Sequence, residues 1–240
     1  MLSPPRKALL CIHGAGTSGA IFRVQIAKLS AALRHEFDFV YVTAPHSTSP
    51  GPGVIPFFAS MGPFYSWFRD TDESISHRLD AIYKPIQQKV GDWQLANPNS
   101  RIVGMLAFSE GALVAAVMLW QQQRRMGQVS WLPDIHFTTF ICCFYREEVT
   151  KWMREQIQES QGAGAIVEED IEKEMKINIP TLHLLGKQDF VLSRAKMLIE
   201  THYTTTFATV MEFDGQHAPP SKREDIEKAA ALILESARSI

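Results

Sequence analysis

Apolar positions along this chain follow two rhythms that alternate from end to end. Residues 7–13, 37–43, 101–108, 135–142, 181–185 and 209–213 are short runs dense in aliphatic, β-branched and aromatic side chains, and each predicts a strand. Between them the spacing becomes helical. Over 21–33, Ile21, Val24, Leu29, Ala32 and Leu33 are apolar while Arg23 and Lys28 are charged. Further helices are predicted over 74–97, where Pro85 should kink or break the run, and over 110–125 and 194–202. Residues 147–175 are helical and charged, interrupted at Gly162 and Gly164. An amphipathic helix over 221–240 closes the chain, with Ser221 as its N-cap and Glu224 in capping-box position.

Strands that alternate with helices imply right-handed crossovers, a mainly parallel sheet of about six strands and helices on both faces. The fold class is α/β, read as one domain over 1–240 with no repeat and no internal linker. One segment stands apart. Residues 44–70, after the second strand, hold Pro45, Pro50, Pro52, Pro56 and Pro63 together with Phe57, Phe58, Met61, Phe64, Tyr65, Trp67 and Phe68. A loop this long in a compact domain is usually functional, and so many rings need an apolar surface to cover. It is expected to be a lid-like, substrate-covering loop, with Phe57, Phe64, Tyr65 and Trp67 as substrate-binding residues. A plain hydrophobic cap over the sheet edge is the alternative.

Composition removes several function classes. The 24 basic and 26 acidic residues are interspersed and leave a formal charge of −2, so neither nucleic acid nor an anionic membrane surface is an expected partner. No apolar run approaches a signal peptide or a membrane span, and the expected compartment is cytoplasmic. Cys11, Cys142 and Cys143 are expected as buried, reduced thiols. No metal-ligand spacing is present, and no cofactor is expected.

The chemistry begins at Ala107-Phe108-Ser109-Glu110-Gly111. A serine between a strand and a helix, with small residues two positions to either side, matches a nucleophile elbow, in which bulky neighbours would collide in the sharp turn. A serine that merely N-caps a helix gives the same pattern. Residues that work in a doubly wound sheet collect beyond the carboxyl ends of its strands. Ser109 lies there, as do Asp189 in Gly186-Lys187-Gln188-Asp189 and His217 in Asp214-Gly215-Gln216-His217. The chain order Ser, Asp, His is that of an α/β-hydrolase. Ser109 is the expected nucleophile, His217 its base and Asp189 the acid that orients the imidazole. The expected oxyanion donors are the backbone N–H groups of Glu110 and, from the glycine loop 14–19, Ala15. Glu110 also suits the first turn of a helix on macrodipole grounds, and its charge is a candidate to tune His217. His202 and Asp214 are rejected, the first for preceding a strand, the second for lying too close to His217 in sequence. His46 in the long loop stays open as a substrate contact.

With these residues in view, the chain resembles the fungal serine-hydrolase family, in particular its enzymes that release statin-like, reduced polyketides. The similar stretches include 8–16, 20–25, 39–45, 51–53, 65–68, 108–114, 120–123 and 179–184, with Asp189-Phe190 and Gly215-Gln216-His217, and they span nearly the whole chain. The departure is Ala107 where the motif has its first glycine. The resemblance places nucleophile, acid and base on Ser109, Asp189 and His217. It implies hydrolysis of a polyketide acyl thioester on the acyl carrier domain of a highly reducing polyketide synthase, which becomes the expected partner. A general carboxylesterase for small or fatty-acyl esters would use the same three residues, and a catalytically silent binding protein is the third alternative.

Overall fold

The computed structural model describes residues 5–69, 74–161 and 167–238. Six strands, β1 (Lys7–Ile12), β2 (Phe37–Val42), β5 (Arg101–Phe108), β6 (Phe137–Ile141), β7 (Thr181–Gly186) and β8 (Ala208–Phe213), form one sheet in the order β2-β1-β5-β6-β7-β8. Every neighbouring pair in it is parallel. This is the α/β architecture expected from the alternation of runs.

Both faces of the sheet are covered, which is why its strands read as nearly continuous apolar runs. In β1, Ala8, Leu10 and Ile12 enter one core with α3 (Ile75–Ala96), α4 (Glu110–Gln123) and α5 (Glu147–Gln161). Leu9 and Cys11 enter the other, with α1 (Gly19–Gln25), α2 (Ala27–Leu33) and α8 (Arg223–Ser236). β5 needs a correction to the same alternation. Its pairing with β1 slips by one residue after Ala8, opposite Val103-Gly104, so Ile102 and Ala107 share a face despite their odd separation. Gly104 sits at this bulge, where a Cβ would stand 2.9 Å from the Phe137 carbonyl oxygen.

Three expectations are revised, and a fourth lies outside the described residues. The helix over 21–33 is two helices joined at Ile26, a buried residue (φ −100°, ψ 15°) that neither glycine nor proline announces. α3 runs unbroken through Pro85. The missing hydrogen bond falls on its solvent side, next to exposed Ala81, and the buried stripe Leu79, Ile82, Tyr83, Ile86 and Val90 outweighs the cost of about 3 kcal/mol. α8 starts at Arg223 with Lys222 as its N-cap, not with Ser221 and a capping box. The Ser221 carbonyl accepts instead from Lys28 Nζ at 3.2 Å, and Lys222 pairs with Asp214. The charged stretch 147–175 contains α5 and α6 (Glu168–Glu174), but the interruption at Gly162 and Gly164 lies outside the described residues.

The segment after β2 is more ordered than a loop. β3 (His46–Thr48) and β4 (Phe64–Ser66) pair antiparallel, and a 3₁₀ turn covers Ala59–Met61. The expected end of this loop, Asp70, lies outside the described residues. The remaining helix, α7 (Leu192–His202), follows β7.

Candidate active site

Ser109 stands between β5 and α4 with φ 52° and ψ −120°, a region that L-residues adopt at a cost of about 1–3 kcal/mol. The surrounding backbone holds it there. Its N–H donates to the Ile141 carbonyl at 2.8 Å, and its own carbonyl accepts from the Ala112 and Leu113 N–H groups at 3.0 and 3.2 Å. Both flanking small residues are present, but only Gly111 is sterically forced. A Cβ there would lie 2.3 Å from the His13 carbonyl oxygen, because α4 begins directly against the end of β1. The methyl group of Ala107 is fully buried in the core, so the missing first motif glycine leaves the elbow intact.

The loops after β7 and β8 are in backbone contact. Lys187 N–H donates to the Phe213 carbonyl at 2.9 Å and Gln188 N–H to the Gly215 carbonyl at 2.9 Å, while a Cβ on Gly186 would meet the Gln216 carbonyl oxygen at 2.4 Å. This approach brings Asp189 to His217. Nδ1 of His217 is 2.9 Å from both carboxylate oxygens of Asp189, and Nε2 is 2.8 Å from Ser109 Oγ. Val191 N–H donates to Asp189 Oδ1 at 2.9 Å and holds the carboxylate still. The imidazole lies between the rings of Phe108 and Phe190, with centroids 5.2 and 4.7 Å away. Nδ1 faces a carboxylate and so carries the proton, which leaves Nε2 as acceptor toward the hydroxyl. The rejected Asp214 is exposed and pairs with Lys222 and with Gln188 Nε2.

Ser109 and His217 open into a cavity of about 580 Å³ whose wall includes Ala15, Val54, Phe57, Phe144 and Phe190. Gly14 packs on the elbow closely enough that a Cβ would be 3.2 Å from Ser109 Cβ, and Ala15, the next residue, lines the same cavity as Ser109. Glu110 borders the same cavity. Its carboxylate, however, turns away from His217 and accepts from Ser66 Oγ at 2.8 Å and from Trp67 N–H at 2.7 Å. Burial raises its pKa above the ordinary carboxylate value, against the lowering effect of those hydrogen bonds.

Of the four aromatic residues expected to bind substrate, only Phe57 lines this cavity, and its ring is 84% exposed. Trp67 is a correction: it is fully buried, and its indole N–H donates to the His13 carbonyl at 2.7 Å. Phe64 and Tyr65 lie in β4, outside the cavity wall, where Tyr65 backbone groups bond to Gly16 N–H at 2.8 Å and to the Thr17 carbonyl at 2.7 Å. The Tyr65 backbone thereby braces the glycine loop. His46 borders a separate polar cavity of about 420 Å³, on the other side of Glu110. Sequence reasoning missed Phe144 and Phe190, although Phe190 directly follows Asp189 at a strand's carboxyl end, the position used to select Asp189 itself.

It also missed the part played by His13. This residue is fully buried, accepts from Ala44 N–H at Nε2 (2.9 Å) and faces the Gly14 carbonyl with Nδ1 (2.7 Å). Burial pushes its pKa down to about 4, so it is a neutral tie between the glycine loop and the chain leaving β2.

Comparison with known proteins finds relatives over nearly the whole chain. The family model described as Serine hydrolase (FSH1) matches residues 2–229. The chain is 48% identical over 232 residues to Esterase mlcF of Penicillium citrinum, covering 93% of this chain and 87% of that protein. It is 46% identical over 233 residues to the Dihydromonacolin L-[lovastatin nonaketide synthase] thioesterase of Aspergillus terreus, covering 94% and 90%. Among solved structures, acyl-protein thioesterase 2 of Zea mays superposes with a TM-score of 0.57 at 14% identity, covering 98% of this chain and 96% of that one, a likeness of fold.

Proposed function

The chain belongs to the serine hydrolase (FSH1) family, and we propose that within it the protein is a thioesterase releasing a reduced, statin-like polyketide from the acyl carrier domain of a highly reducing polyketide synthase. The observation that carries this reading is the unbroken relay from Ser109 Oγ through His217 to Asp189, opening into an aromatic-walled cavity. The relatives at 46–48% identity named as a statin-pathway thioesterase and an esterase support the choice of substrate.

The geometry supports the following steps. Ser109 Oγ attacks the thioester carbonyl as His217 Nε2 takes its proton, and Asp189 stabilises the imidazolium. The oxyanion is held by the backbone N–H groups of Ala15 and Glu110. His217 returns the proton to the departing thiolate sulfur of the carrier's arm. Water, deprotonated by the same Nε2, then attacks the acyl carbonyl on Ser109, the ester bond to Oγ breaks, and His217 returns the proton to Oγ as the acid leaves. Nothing in this sequence calls for a cofactor. Phe57, Phe144, Phe190 and Val54 face the acyl chain, and the segment over 44–69 covers it. No helix among the described residues is long and apolar enough to cross a membrane. The three free, buried cysteines support the cytoplasm as the working compartment.

The test is acyl release from a loaded carrier domain compared with hydrolysis of p-nitrophenyl esters of similar chain length. A kcat/KM at least ~10-fold higher on the carrier supports the thioesterase, and the reverse preference supports a general carboxylesterase. On the preferred substrate, Ser109→Ala loses roughly 10⁴-fold or more in kcat and Asp189→Asn on the order of 10⁴. Near-wild-type turnover by Ser109→Ala rules the mechanism out.

A further inference from the structure

Cys142 has no part in the relay, yet it lies beside it. It follows β6 in a left-handed conformation (φ 51°) and is fully buried. Its Sγ, a carboxylate oxygen of Asp189 and a ring nitrogen of His217 all lie within 4.8 Å of one another. We propose that Cys142, Asp189 and His217 form a latent site for a thiophilic divalent cation, Zn²⁺ or Cd²⁺, and that its occupation switches hydrolysis off.

The donor set is the first argument. One thiolate, one imidazole and one carboxylate are the ligand types that zinc takes, at about 2.3, 2.0 and 2.1 Å. Ligand atoms at those distances in a tetrahedral arrangement stand roughly 3.5 Å apart, so the observed spread closes with movements on the order of 1 Å. His217 Nδ1, the nitrogen facing Asp189, supplies the imidazole ligand.

Proton and charge balance follow directly. The Cys142 thiol loses its proton to solvent, and thiolate and carboxylate together neutralise the cation. No electron moves. The cation displaces the thiol proton, so it binds more tightly as pH rises. With Nδ1 on the metal, the imidazole proton moves to Nε2. Nε2 then donates and can no longer accept the proton of Ser109, so the base is lost while the fold is kept.

Access is through the short stretch that covers Cys142, whose Gln216 and Ala218 carbonyls lie 4.0 and 3.9 Å from its Sγ. Both of those residues are exposed. Cys11 and Cys143 are also buried free thiols but are not part of this cluster.

Binding can be read without catalysis, and only the inhibitory half of the proposal rests on the assignment of the relay. Titrating CdCl₂ into the full-length Ser109→Ala protein is expected to produce the ultraviolet thiolate-to-cadmium charge-transfer band. The band is lost when Cys142→Ala is added and kept when Cys143→Ala is added. In the active protein, ZnCl₂ inhibits hydrolysis reversibly with EDTA, and Cys142→Ala weakens that inhibition by roughly 100-fold relative to its own metal-free rate. Should the alanine variant not fold, Cys142→Ser keeps size and polarity while removing the soft ligand. A cadmium band that persists without Cys142, or equal zinc inhibition of wild type and variant, overturns the site. Absence of hydrolysis in metal-free wild type would count against the thioesterase reading, while the cadmium band would still report the site.

Discussion

Gly111 and Ala107 stand two residues to either side of Ser109, yet the structure constrains them differently. A methyl group at 111 would press on the carbonyls of Ile12 and His13, backbone that cannot retreat without moving β1. Gly111→Ala is therefore expected to cost ~1–3 kcal/mol in urea denaturation and to lower kcat by 10²-fold or more, since a shift of about 1 Å at the nucleophile is enough. Ala107→Gly should leave kcat within about 3-fold and cost at most ~1 kcal/mol, the entropy of a strand glycine. Equal effects of the two substitutions would show that the close approach of α4 to β1 is not what shapes the elbow. Glu110 makes a related point. Its place in the chain suggested influence on His217, but its carboxylate is directed to Ser66 and Trp67, and it fastens the β3–β4 pair to the helix that follows Ser109.

The β3–β4 pair explains why the aromatic run over 57–68 divides into two jobs. Trp67, beside β4, enters the core, while Phe57, before the 3₁₀ turn, stays at the cavity mouth. Trp67→Ala should destabilise the protein by roughly 3–5 kcal/mol without altering the ratio of KM for long and acetyl thioesters. Phe57→Ala should do the opposite, raising KM for long acyl thioesters by about 3- to 10-fold with Tm unchanged, consistent with one hydrophobic contact worth ~1 kcal/mol. The run's composition showed that it must cover something apolar. Which ring did so depended on the pairing with β3 and on the bonds from Gly16 and Thr17 to Tyr65.

Across the whole molecule, three histidines are buried without charge. Burial lowers the pKa of His13 to about 4, of His183 to about 3 and of His202 to about 4. Unfolding returns each to a value near 6.5, so below that pH the unfolded chain binds more protons than the folded one. The stability these groups contribute is fully present above about pH 6.5 and is lost as pH falls toward 4. Near pH 5 the slope should approach three protons, on the order of 4 kcal/mol per pH unit. Glu110 acts with the opposite sign, since its raised pKa favours proton binding by the folded state, but it is one group against three. Urea midpoints between pH 7 and 4.5 measure this. A flat profile would show that these imidazoles are hydrated or paired in the folded protein.

The strands, their order of appearance and the placement of Ser109, Asp189 and His217 beyond strand ends were legible because they rest on local rules. Alternating runs are dictated by burial on both faces of a sheet, and a small-x-Ser-x-small turn is dictated by steric crowding over five residues. The carboxyl-end position of Asp189 and His217 followed from those runs alone. What remained undecided were contacts between segments distant in the chain: the continuity of α3 through Pro85, the break at Ile26, the burial of Trp67 and the lock on Glu110. Each turns on which surface a segment meets after folding. A one-dimensional pattern records that a side chain is apolar or charged, but not whether its neighbour will be water, a carbonyl such as that of His13, or the substrate.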